Sequence, residues 1–98
     1  MKLAAILATI ALTGPASAEP LTDAWCVAHT EMAAMVMRAH QEGVPMADVM
    51  ATENKLLREM ALVAYSSQRM ISPINRQRQI DAFRDAVALD CYTAMAAQ

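Results

Sequence analysis

Two cysteines, Cys26 and Cys91, stand 65 residues apart in a chain of 98. Joined, they constrain the topology before any helix is drawn. Two cysteines permit one intramolecular pairing. Closing a loop of this length stabilises a domain by about 4 kcal/mol in the chain-entropy account. A disulfide also needs its Cα atoms within about 7 Å of each other. Whatever path the chain takes between them, it must come back to where it began.

Such a bond persists only in an oxidising compartment, and the amino terminus points to one. Met1-Lys2 is a short positive lead, Leu3 to Leu12 is an uncharged apolar run, Thr13-Gly14-Pro15 breaks it, and Ala16-Ser17-Ala18 places small residues before Glu19. This layout predicts a cleaved secretory signal over 1–18 and a single helical domain over 19–98. The apolar run is about half of the roughly 20 residues a membrane span requires. No cysteine follows the cleavage site to carry a lipid, and no later run is long and apolar enough to cross a bilayer. The expected location is the periplasm or outside the cell. With no Cys-x-x-Cys motif, the pair reads as structural rather than redox-active.

The domain is small, and its composition narrows the class. Eight Lys and Arg against ten Asp and Glu give a net charge of −2, and the chain has four aromatic residues. These exclude a general nucleic-acid binder. An apolar content of 56% excludes a disordered polyelectrolyte, and two glycines are too few for a turn-rich β fold.

Helical signals run through the rest. Thr22 is an N-cap candidate, with Asp23 in the first turn. A helix is expected over 23–42, stopped by Gly43 with Pro45 beyond it. Its apolar stripe collects Trp25, Met32, Ala33, Val36 and Ala39, with Thr30, Glu31, Arg38 and Gln41 on the far side. The polar stretch Thr52-Glu53-Asn54 divides the central segment into a short helix over 45–52 and a longer one over 54–70. The longer one carries Leu56, Leu57, Met60, Val63 and Ala64 on one face. Ser72-Pro73 then opens a last helix over 73–96, with Ile80, Phe83, Val87, Cys91 and Ala94 in one stripe. Three straight long helices would leave Cys26 and Cys91 at opposite poles, about 30 Å apart. A fourth segment brings the last helix back antiparallel to the first. The expected fold is all-α: a four-helix bundle, three helices long and one short, stapled by Cys26–Cys91.

Candidate chemistry is sparse. Nine methionines are far above ordinary usage. His29 and Met32, one helical turn apart, are the pair that could share Cu(I). The absence of any Met-x-x-Met-x-x-Met run favours methionine as core filler and adaptable contact surface, and no cofactor or resident metal is expected. His29 and His40 lie about 16 Å apart along a helix, too far to share one ion. As histidines on an apolar stripe they are candidate acid sensors, unless His29 is hydrogen-bonded in the core and His40 simply suits a helix C-terminus. Glu53 and Arg84 project toward the core and are expected to pair with each other, or Glu53 with a histidine. Arg76 and Arg78 form a basic patch that either faces an acidic partner or is merely solvated. No Gly-x-Ser-x-Gly, supported Cys–His pair or phosphate loop is present, so a non-enzymatic protein is expected.

Cys26, Met35-Val36-Met37-Arg38, Gln41-Glu42-Gly43-Val44-Pro45-Met46, Ala64-Tyr65, Phe83 and Cys91-Tyr92 together carry a resemblance. The chain resembles short secreted two-cysteine helical proteins of proteobacteria and their phages, mostly of unknown function. The resemblance implies a small helical domain and assigns no activity. The two-cysteine helical plan is also similar to that of periplasmic acid-stress chaperones, although the cysteine loop here is longer and their lysine-rich character is missing. The expected function is a small exported interaction module with a protein or envelope partner. The alternatives are an acid-responsive holdase, a periplasmic enzyme inhibitor and a Cu(I)-binding Met/His carrier.

Overall fold

The computed structural model describes residues 21–98; the signal predicted over 1–18 lies outside the described residues. Four helices succeed one another: α1 (Asp23–Gln41), α2 (Met46–Met50), α3 (Lys55–Ala64) and α4 (Pro73–Ala96), and no strand occurs among the described residues. This is the expected all-α arrangement of three longer helices and a short one.

The helix ends are set by local chemistry. Thr22 Oγ1 accepts the Trp25 amide at 3.1 Å, Asn54 Oδ1 accepts those of Leu56 and Leu57 at 3.0 and 3.2 Å, and Ser72 Oγ accepts that of Asn75 at 3.2 Å. Each supplies an acceptor to amides that have no intrahelical partner. Pro73 occupies the first helical position, where its missing N–H costs nothing. At the other end of α1, Gly43 takes φ +85°. Its amide donates to the His40 carbonyl at 3.1 Å, and that of Val44 donates to Ala39 at 2.9 Å, the paired bonds of a Schellman motif.

The cysteines bond as expected, with Cα atoms 5.7 Å apart. Cys26 opens α1 and Cys91 is near the end of α4, so the two helices run antiparallel and pack along their length. At the opposite pole, His40 and Gln41 bond to residues 67–70, just ahead of α4. Between them, α2 and the 51–54 linker lead the chain back down, so α3 rises alongside α1 and ends level with it. The core at this junction is Ala33, Ala34, Val36 and Met37 of α1, Met60, Ala61 and Ala64 of α3, and Ile80 of α4. Four alanines among these eight let the helix axes approach closely, and Met37 and Met60 fill the remaining space. Two further ties close the ends: the Gln98 side-chain amide pairs with the Leu21 backbone, accepting its N–H at 2.8 Å and donating to its carbonyl at 3.3 Å.

Three expectations need correction. First, the helix expected over 54–70 ends at Ala64. Ser66 and Ser67 turn their hydroxyls back onto the carbonyls of Val63 and Ala64, at 2.6 and 2.7 Å, satisfying acceptors the helix end leaves open. The next residues are taken by α1: His40 Nε2 donates to Ser67 O at 2.6 Å, Gln41 Nε2 donates to Gln68 O at 3.0 Å, and Gln41 Oε1 accepts the Met70 amide at 2.7 Å. Tertiary bonds replace helical ones. Second, Gln41 is not on a solvated face but fully buried, at 0% exposure. Its amide acts as a substitute stretch of backbone for the 65–72 connection. Third, Trp25 is 47% and Val63 59% exposed, and Ala94 is exposed. α3 spans about 15 Å against about 28 Å for α1, so no third helix covers the Trp25 end.

Gly43→Ala is expected to lower unfolding free energy by at least about 1 kcal/mol, because the left-handed backbone strains an alanine. Its added Cβ would also lie 3.0 Å from the Arg69 guanidinium. Urea unfolding of the two proteins checks this; equal midpoints would contradict it.

Candidate functional site

The short α3 leaves an opening. α3 and α4 both pack toward α1, and between them lies a cleft of about 290 Å³, open on one side. One wall is Leu56, Glu59, Met60 and Val63 of α3. The other is Phe83, Ala86, Val87 and Asp90 of α4, and His29 of α1 completes the lining. Each wall repeats at helical spacing, so each is a single face of its helix. The surface is apolar apart from three groups: the carboxylates of Glu59 and Asp90, one on each wall, and the imidazole.

These polar groups are under-committed. Neither Glu59 nor Asp90 has a cation within ion-pair distance among the described residues; Lys55, one turn before Glu59, stays beyond it. His29 stacks at a tilt on the exposed Trp25, ring centroids 5.9 Å apart. Its Nδ1 is shut off from water and has no hydrogen-bond partner, a state that costs about 1–3 kcal/mol. Among the described residues only Arg84 Nε shares that condition.

The other sequence candidates lie elsewhere. Met32 sits one turn after His29 and packs against the core. Among the described residues no three His, Cys, Asp or Glu side chains gather to hold a metal ion. His40 is buried, and its Nε2 donates to Ser67 O at 2.6 Å. It packs against Tyr65, with ring centroids 4.4 Å apart, and the Tyr65 hydroxyl donates to Val44 O at 2.7 Å. Arg76 is partly committed to the fold, its Nε donating to Met70 O at 2.8 Å, while Arg78 is exposed. Arg84 does not meet Glu53. It lies 3.7 Å from Glu31 and 3.8 Å from Asp81, and Glu53 is exposed in the linker before α3. Once α3 starts at Lys55, Glu53 no longer belongs to a helix face.

Sequence reasoning passed over Glu59 and Asp90. Their signal was the spacing Leu56, Glu59, Met60, Val63 and its counterpart Phe83, Ala86, Val87, Asp90: one acid on each otherwise apolar face. Among the described residues no helix is long and apolar enough to cross a membrane. No protein-family model, curated protein or solved structure matches this chain.

Burial, and then the nearby Asp48 carboxylate, hold the Tyr65 phenol above its ordinary ionisation near 10. The folded state therefore keeps this proton where the unfolded chain has released it. The stabilisation is complete below pH 10 and is lost as pH rises through the raised value. Urea midpoints are expected to fall in this alkaline window, and Tyr65→Phe is expected to remove part of the fall; an identical decline in the variant would contradict the assignment.

Proposed function

We propose that this chain is a small exported interaction module, stapled by its disulfide, that acts in the periplasm or outside the cell by holding a partner rather than by making or breaking bonds. The observation that carries the reading is the cleft between α3 and α4. It is a preformed, mostly apolar concavity with a few polar groups, the usual composition of a recognition site, and it stands on a cross-linked frame. None of the described residues lining it carries a hydroxyl, thiol or amine that could attack a substrate. Rigid walls favour binding because little conformational entropy is lost when a partner docks. Val63 on the cleft wall is itself exposed, so the apolar lining is open to a partner.

Export is supported by the three-part layout of residues 1–18 and by the Cys26–Cys91 bond, which cytosolic reductants would oppose. The resemblance to short secreted two-cysteine helical proteins agrees with this and names no activity.

The test has two parts in one exporting bacterium. Protein recovered from the periplasm is expected to begin at Glu19, with both thiols blocked until reduction. A photo-reactive residue placed at Val63 is expected to give a discrete cross-linked adduct that the same residue at Asp85, on the opposite face of α4, does not. A product retaining Met1 with free thiols would overturn export. Identical patterns at both positions, or none at Val63, would overturn the cleft as the contact site.

A further inference from the structure

The cleft's charge pattern says more about what it accepts. Each wall contributes one carboxylate, Glu59 from α3 and Asp90 from α4, and no cation lines the cleft. No basic side chain of the described residues reaches either carboxylate within ion-pair distance. Arg84 lies beside Glu31 and Asp81, Arg58 donates to Met50 O at 3.2 Å, and Lys55 stays out of ion-pair reach of Glu59. One acidic group therefore stands on each wall of an apolar floor, and no cation lines the cleft between them. A cation placed between two carboxylates is attracted by both.

We infer that the cleft receives a lysine or arginine side chain from an apolar, basic segment of a partner protein, with the aliphatic stem on the apolar lining and the cationic head toward Glu59 and Asp90. The inference rests on the reading of the cleft as the contact site and names its partner's chemistry. Lysine and arginine are the side chains whose shape matches: a three- or four-carbon stem that buries on apolar surface and a charged head that stays at the rim. Leu56, Met60, Val63, Phe83 and Val87 supply the surface for the stem. A cleft of about 290 Å³ that is open on one side has room for such a side chain. Methionine on the wall adapts to either stem. The complementarity is asymmetric, since an acidic segment would bring a third negative charge to the same rim.

The experiment uses oxidised protein covering 19–98, two blocked heptapeptides of the pattern Ala-Leu-Lys-Ala-Leu-Lys-Ala and the same with glutamate for lysine, and amide-resolved NMR titration at low ionic strength. The lysine peptide is expected to shift Val63, Phe83 and Val87. The glutamate peptide is expected to bind about ten-fold more weakly, and the double variant Glu59→Gln/Asp90→Asn to lose about ten-fold for the lysine peptide, the sum of two exposed charge contacts. Asp85→Asn, an equal charge change on the other face of α4, is expected to leave binding unchanged. Equal binding of both peptides in the cleft would overturn the charge inference and leave the contact site standing. No shift in the cleft from either peptide, or equal losses from Asp85→Asn and the double variant, would overturn the inference. Concentration-dependent shifts of the same residues in the free protein, marking a second copy as the occupant, would also overturn it.

Discussion

Once Cys26 is joined to Cys91, the first turn of α1 and the last turns of α4 have to lie side by side. Two helices of 19 and 24 residues, pinned at one pole, either splay or pack along their length. Here a second clamp decides the matter at the far pole. Gln41, wholly buried, pairs through its side-chain amide with both Gln68 and Met70, and His40 donates to Ser67. A covalent bond at one end, and at the other three hydrogen bonds from α1 to the connection leading into α4, tie α1 and α4 into one frame. The remaining helices are arranged by what this frame leaves open.

That arrangement has a cost that becomes a feature. The frame needs the chain to travel from the end of α1 back to a point from which it can rise again, and α2 with its linker uses the residues that would have lengthened α3. A ten-residue α3 covers only the upper half of α1. The apolar faces of α3 and α4 beside the gap remain in partial contact with solvent, and His29 keeps a buried nitrogen without a partner. A bundle with a full-length third helix would fill this space with side chains. Here the same topology that satisfies the disulfide leaves a cleft, and the site is a product of the fold rather than an addition to it.

Much of this was legible in the residues themselves. Thr22, Ser72-Pro73 and Gly43 mark helix ends through short-range chemistry, and the structure places caps at each. The cysteine pair demanded a fourth segment, the polar Thr52-Glu53-Asn54 marked where the break falls, and Asn54 provides it by capping α3. The misreadings have separate physical origins. Residues 65–70 have acceptable helical character alone, and only the long-range bonds from His40 and Gln41 pull them out of a helix. Gln41 was placed on the far side of α1 by helical phase, whereas the buried face of α1 includes Cys26, Ala34, Met37 and Gln41, and an amide that mimics the backbone can be buried at little cost. Glu53 and Arg84 were paired on helical phase, which fails when one of them precedes its helix. The cleft itself depends on the lateral spacing of α3 and α4, which no local pattern encodes, although each wall's single acid on an apolar face was visible.

If the cross-linked α1–α4 frame is what holds the cleft walls in place, amide hydrogen exchange will report it most directly. In the oxidised protein, the slowest amides of α1 and α4 should exchange together, through global opening. Reduction of Cys26–Cys91 should accelerate both helices and the cleft residues of α3 by a common factor of about a thousand, the exchange equivalent of about 4 kcal/mol. Unchanged protection of α1, α4 and the cleft walls after reduction would contradict the frame as the support of the site. So would protection kept by α3 while α1 and α4 lose theirs.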